Sequence, residues 1–145
     1  TSGDALVLDA FAGSGALGFE ALSRGAERAW FWDRSAACIT TIRDNARHLN
    51  AGDRVIAQRI DATKPPTAPR PVDLVFLDPP YEQGFIPTTL DALTRHGWVR
   101  DLTLVVAETK RREQLVLNTD WISLDRRDIG DTGLSFLRPS MAGAA

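Results

Sequence analysis

Residues 5–18 read ALVLDAFAGSGALG, and this stretch decides the fold class. Four apolar residues precede Asp9, and glycines then follow at positions 13, 15 and 18. A short apolar run that leads directly into a glycine-rich turn is typical of a strand, a tight turn and a helix. The stretch therefore predicts one half of a βαβ unit, from which parallel sheets are built.

The same alternation of strand and helix continues along the chain. Helices are predicted after the glycine turn, after a capping Ser35 and around Pro87. A loop over residues 62–71 contains four prolines, which lack the N–H that regular structure needs. Further apolar runs predict strands at residues 29–32, 54–60, 72–77 and 102–107.

The last forty residues predict a different arrangement. Residues 109–118 give only a short possible helix, whereas residues 121–127 and 134–138 predict two strands joined through the turn at 130–133. We therefore expect an α/β fold with a mostly parallel seven-stranded sheet, helices on both faces and a C-terminal antiparallel hairpin.

Length and composition favour one domain over residues 1–145, with 43% hydrophobic and 25% charged residues. One cysteine, Cys38, leaves no internal disulfide and no multi-cysteine metal site, so we expect a cytoplasmic protein and no bound metal. No apolar run is long enough for a membrane span. Seventeen basic against nineteen acidic residues give no strongly basic field, which argues against an obvious nucleic-acid binder.

An acidic residue closes each of the first five predicted strands. Ligands of open α/β sheets bind beyond the carboxyl ends of the strands. Since parallel strands end at the same edge, we expect these carboxylates to line one site: Asp9, Asp33, Asp61, Asp78 and Glu108.

The glycine turn permits two interpretations. Residues 13–18 fit the pattern G-x-G-x-x-G, and Asp33 follows where an acid could accept ribose hydroxyls, as in nicotinamide-dependent enzymes. Asp9, however, precedes the turn, where its charge would repel a pyrophosphate. S-Adenosylmethionine carries a sulfonium and an ammonium but no phosphate, so it suits these acids better.

The second decisive segment is Asp78-Pro79-Pro80-Tyr81, directly after the fourth predicted strand. An exocyclic base amine is a poor nucleophile because its lone pair is conjugated with the ring. The Asp78 carboxylate and the Pro79 carbonyl can each accept one of its N–H groups, which favours a more pyramidal nitrogen. The prolines make the turn rigid, and the Tyr81 ring offers a stacking face for an extruded base.

Two segments together resemble a known family: residues 8–25, LDAFAGSGALGFEALSRG, and residues 73–81, DLVFLDPPY. They are similar to class I methyltransferases, and specifically to the bacterial RsmD-type 16S rRNA guanine-N2 methyltransferases. The resemblance implies a Rossmann-like fold, S-adenosyl-L-methionine as cofactor, and a native segment ahead of Thr1 that helps to close the site.

The resemblance also implies a role for individual residues. Catalysis falls to the segment Asp78, Pro79, Pro80 and Tyr81. Cofactor binding falls to a larger set, in which Asp33 takes the ribose hydroxyls and Asp61 reads the adenine with the Ala62 backbone. The full set is Asp9, Phe11, Gly13, Gly15, Asp33, Asp61, Ala62 and Asp78.

For partners we expect ribosomal RNA or an assembling small subunit, no membrane, and a monomer. Two basic clusters, residues 110–112 and 126–127, are candidate RNA contacts. Three alternatives remain open at this point. They are a DNA adenine-N6 methyltransferase, an NAD-dependent oxidoreductase and a non-catalytic RNA-binding remnant.

Overall fold

A computed structural model describes residues 4–80 and 84–140. Within these ranges one seven-stranded sheet has the order β3-β2-β1-β4-β5-β7-β6. The first five strands run parallel, and β7 is antiparallel to both β5 and β6. The elements are β1 Leu6–Asp9, α1 Ala16–Ser23, β2 Arg28–Asp33, α2 Ala36–His48, β3 Val55–Arg59, β4 Leu74–Leu77, α3 Phe85–Arg95, β5 Leu104–Lys110, β6 Trp121–Ile129 and β7 Thr132–Pro139.

The sheet is covered on both faces, as the sequence predicts. Helices α1 and α2 contribute Leu22, Ile39 and Ile42 to a core on one face. Helix α3 contributes Ile86, Leu90 and Leu93 to a larger core on the other. With apolar side chains buried on both sides, the central strands are apolar along nearly their whole length, which is why they stand out in the sequence.

A cluster of tryptophans fixes the proline-rich loop. Trp98 is 1% exposed and packs edge to face on Trp30 and Trp32, with ring centroids 5.7 and 4.7 Å apart. Its indole Nε1 donates to the carbonyl of Pro66 at 2.8 Å. The loop between β3 and β4 is therefore irregular, as predicted, and is anchored to the core.

Two helix boundaries have ordinary capping residues, and the Ser35 cap is the one predicted above. The Ser35 hydroxyl accepts a hydrogen bond from the Cys38 N–H at 3.3 Å at the start of α2. Gly25, with a φ of 106°, lies just beyond the end of α1. None of the helices in the described ranges is long and apolar enough to cross a bilayer.

The prediction of a short helix over residues 109–118 is wrong. Residues 109 and 110 extend β5, and residues 111–118 contain no helix. The Arg126 guanidinium donates to the carbonyls of Arg111 at 2.9 Å and Glu113 at 3.2 Å. A distant side chain thus satisfies carbonyls that a helix would have used locally.

Candidate functional site

Asp33 ties the glycine turn to the end of β2. Its Oδ2 accepts from the Gly13 N–H and its Oδ1 from the Ser35 N–H, both at 2.9 Å. The turn needs a left-handed backbone, with φ values of 56° at Gly13 and 88° at Gly15. Each Asp33 oxygen keeps a second lone pair for a ligand.

Asp9 lies beneath the same turn. It is 2% exposed, and its Oδ2 accepts from the Gly18 N–H of α1 at 3.1 Å. Burial is the main reason that the pKa of Asp9 is raised to about 7; the Gly18 hydrogen bond acts against it, and the charges of Asp78 and Asp33 add smaller increases. Asp9 therefore holds the start of α1 against the strand edge.

A cavity of about 500 Å³ opens at the carboxyl edge of β1, β2, β3 and β4. Its volume lies within the ~300–1,000 Å³ typical of small-molecule sites. Eight of the residues predicted from the sequence line it: Phe11, Gly13, Asp33, Asp61, Ala62, Asp78, Pro79 and Pro80.

Other predicted residues lie elsewhere. Asp9 and Gly15 are not among the lining residues in the described part of the chain. Tyr81 falls outside the described residues. Conversely, Ala10, Arg34, Ile60 and Phe85 also line the cavity. The first three adjoin predicted site residues, so their position was the available signal, whereas nothing in the local sequence indicates Phe85.

Asp61 lines the cavity with its carboxylate. Its Oδ1 accepts from both the N–H and the hydroxyl of Thr63, at 2.9 and 2.7 Å. These two hydrogen bonds are the largest reason that the pKa of Asp61 is lowered from its ordinary value. The side chain is therefore a stable acceptor for a ligand amine.

Asp78 has a second acid beside it. Leu77 pairs with Ala107 across β4 and β5, so the next residues, Asp78 and Glu108, are neighbours at the strand ends. Their carboxyl groups share a hydrogen bond. Burial, followed by the Asp78 charge and this hydrogen bond, raises the pKa of Glu108 to about 7. Near neutral pH, Glu108 can therefore hold the shared proton.

A second cavity, of about 190 Å³, lies on the other side of the proline segment. Pro79, Pro80 and Phe85 line both cavities. Glu108 lines the second cavity together with residues of the irregular segment after β5, which no sequence motif marks as part of the site. Their contribution depends on tertiary packing rather than on any local pattern.

The arginines of the hairpin are largely engaged within the protein. Arg126 donates to two carbonyls and, at 3.1 Å, to Asp128. Arg127 donates to Asp125 at 3.2 Å and lies over the Phe136 ring, 5.8 Å from its centroid. A role for these side chains in RNA contact stays a prediction.

Two curated relatives share the greater part of this chain. A protein of Haemophilus influenzae is 32% identical over 127 residues, which are 85% of this chain and 66% of that protein. One of Escherichia coli K12 is 36% identical over 107 residues, 74% of this chain and 54% of that protein. Both are named ribosomal RNA small subunit methyltransferase D. The chain thus spans a little over half to two-thirds of their length.

The fold has a close match among solved structures. A candidate methylase of Haemophilus influenzae superposes with a TM-score of 0.84 at 26% identity, over 95% of this chain and 88% of that one. The profile of the family described as "Conserved hypothetical protein 95" matches residues 2–138. The class I methyltransferase fold expected from the resemblance is confirmed, and the chain belongs to this family, the RsmD family.

Proposed function

We propose that this chain is a single methyltransferase domain that uses S-adenosyl-L-methionine to methylate guanine N2 of small-subunit ribosomal RNA. One observation carries the proposal: Pro79 and Pro80 line both cavities, and Asp78, directly before them, lines the larger one. The larger cavity has the size of a cofactor site, and the smaller has room for one ring system. The names of the two relatives support RNA as the substrate.

The residues of the larger cavity fit this cofactor. Asp33, Asp61 and Asp78 supply acceptors for hydroxyl, amine and cationic groups, while Phe11, Ile60 and Phe85 supply apolar surface. Asp33 would hold the ribose, and Asp61 the adenine amine. Three carboxylates would instead oppose the pyrophosphate of a dinucleotide, so the oxidoreductase alternative fits less well.

S-Adenosylmethionine, when bound, supplies an activated methyl group on its sulfonium. Asp78 and the Pro79 carbonyl accept the two N–H groups of the target amine and turn its lone pair toward that methyl group. The methyl group would pass from the sulfonium to the amine nitrogen, leaving the neutral thioether, and the nitrogen would lose one N–H proton. Asp78 is placed to accept that proton, and Glu108 shares its charge through their hydrogen bond.

Two substitutions separate the roles of the acids. We expect Asp78→Ala to abolish methyl transfer while the affinity for S-adenosylhomocysteine stays nearly unchanged. Asp33→Ala should weaken that affinity by about 1–3 kcal/mol, the scale of a lost charge-assisted hydrogen bond. Calorimetric titration measures the affinity, with NAD as the parallel ligand and the exposed Asp53→Ala as matched control.

Transfer is measured with radiolabelled cofactor on transcribed small-subunit RNA and on small ribosomal subunits, followed by digestion to nucleosides. N2-Methylguanosine is the expected product. N6-Methyladenosine would favour the adenine-methyltransferase alternative, and binding of the cofactor without transfer to either substrate would favour a non-catalytic remnant. Wild-type transfer rates in Asp78→Ala would contradict the mechanism.

A further inference from the structure

The second cavity has the dimensions and walls of a site for one planar ring. Its volume of about 190 Å³ is below the ~300 Å³ at which sites for drug-sized molecules begin. Pro79 and Pro80 form one side, and Ile86 and Leu115 add apolar surface. Such walls suit the faces of a nucleobase, so specificity must come from the polar groups at its edge.

Two polar groups of this cavity lack partners within the described part of the chain. Thr109 is 2% exposed, and its Oγ1 makes no hydrogen bond. Glu113 has a buried Oε1 that accepts none. Buried polar atoms are almost always paired in folded proteins, because an unpaired one has given up its water. Both residues line this cavity, so both have hydrogen-bonding capacity left for a ligand there.

Glu113 is held in position from outside the cavity. Its N–H donates to the Lys110 carbonyl at 3.0 Å, and its own carbonyl accepts from Arg126 at 3.2 Å. Arg126 reaches it by crossing β7 at Gly133, where a Cβ would overlap the guanidinium. The backbone that carries the Glu113 carboxylate is therefore fixed by hydrogen bonds at both its N–H and its carbonyl.

We propose that Glu113 accepts a hydrogen bond from the ring N1–H of the target guanine and thereby selects guanine over adenine. This inference rests on the proposed function, in which the second cavity receives the base to be methylated.

The polar edge of guanine matches the unpaired atoms. Guanine presents N1–H and the N2 amine as donors and O6 as an acceptor, whereas adenine presents N1 as an acceptor. A carboxylate only accepts, so Glu113 pairs with guanine N1–H and repels adenine N1. The Thr109 hydroxyl can donate to O6. The N2 amine would then lie beside Pro79 and Pro80, where Asp78 is reached from the larger cavity.

Glu113→Gln tests the inference, because its amide is uncharged and can also donate to adenine N1. The wild-type methylated position is first mapped on transcribed small-subunit RNA. Methyl transfer is then compared on that transcript and on one with adenine at the mapped position. We expect kcat/KM for guanine to fall 10- to 100-fold, the guanine-to-adenine ratio to fall at least as much, and S-adenosylhomocysteine affinity to stay within twofold.

Two further variants control for indirect effects. Glu27→Gln, an exposed glutamate just before β2, should leave the ratio unchanged. Thr109→Val removes the second unpaired group while keeping the side-chain shape, and should lower guanine transfer without any gain on adenine.

The outcomes distinguish the inference from the function on which it rests. If the wild-type protein methylates guanine and Glu113→Gln keeps the wild-type guanine-to-adenine ratio, this inference is overturned and the proposed function stands. If the wild-type protein binds S-adenosylhomocysteine but methylates no RNA, the proposed function fails and the assignment of Glu113 is overturned with it.

Discussion

At the scale of single residues, Asp9 links stability to pH. Its pKa rises from an ordinary 3.8 to about 7 because it is buried, so the folded state holds the proton more tightly than the unfolded chain. The contribution of Asp9 to the free energy of unfolding is fully present below pH 4. It is lost as the pH rises toward 7 and stays constant above that. The loss is at most about 4 kcal/mol.

Asp9→Asn should remove this loss, because the amide oxygen can still accept from Gly18 N–H and carries no charge. We expect the variant to exceed the wild type in free energy of unfolding at pH 8, by up to about 4 kcal/mol, and to approach it at pH 4. Urea titrations at both pH values measure this. The exposed Asp53→Asn is the control, and parallel pH curves for Asp9→Asn and wild type would contradict the assignment.

At the scale of elements, the segment after β5 depends on the β6–β7 hairpin. The Arg126 guanidinium binds the carbonyls of Arg111 and Glu113 and is only partly exposed. Arg126→Met keeps the apolar stem but loses these bonds, so local opening of the segment should become easier by about 1–3 kcal/mol. Trypsin cleavage after residues 110–112 should accelerate at least fivefold.

The neighbouring Arg127→Met provides a matched control for that prediction. Arg127 lies on the same strand, but its ion pair with Asp125 is exposed and does not reach the segment. Arg127→Met should therefore leave the rate of trypsin cleavage near the wild-type value. Equal acceleration in both variants would mean that the hairpin as a whole, rather than the Arg126 hydrogen bonds, holds the segment.

The elements also show what a sequence can predict and what it cannot. The parallel strands were predictable because both faces are buried, so apolar runs such as residues 72–77 mark them directly. The acids at their ends were predictable because parallel strands align their carboxyl ends. The irregular segment after β5 was not predictable, since it is held by Arg126, which lies on β6. The second cavity and the unpaired Glu113 follow from that same long-range contact.

At the scale of the whole molecule, the topology concentrates negative charge although the chain carries a net charge of only −2. The parallel strands bring Asp9, Asp33, Asp78 and Glu108 to one edge. There the charges of Asp78 and Asp33 raise the pKa of Asp9, and the charge of Asp78 raises the pKa of Glu108. Such a field favours a cationic ligand over a neutral analogue of the same shape. The sulfonium of S-adenosylmethionine and the thioether of S-adenosylhomocysteine are such a pair.

This field should make the discrimination between the two ligands depend on pH. Glu108 has a pKa of about 7, so it loses its proton between pH 6 and 8, and the charge near Asp78 becomes more negative. A bound sulfonium stabilises that ionised form, so S-adenosylmethionine should bind about 3- to 10-fold more tightly at pH 8 than at pH 6. The affinity for S-adenosylhomocysteine should change less.

Calorimetry with both ligands at both pH values measures the ratio of the two affinities. Glu108→Gln keeps a donor for Asp78 and should reduce the pH dependence of this ratio to the part that Asp9, which ionises over the same range, contributes. An equal pH dependence for both ligands would place the sulfonium away from the pair of Asp78 and Glu108.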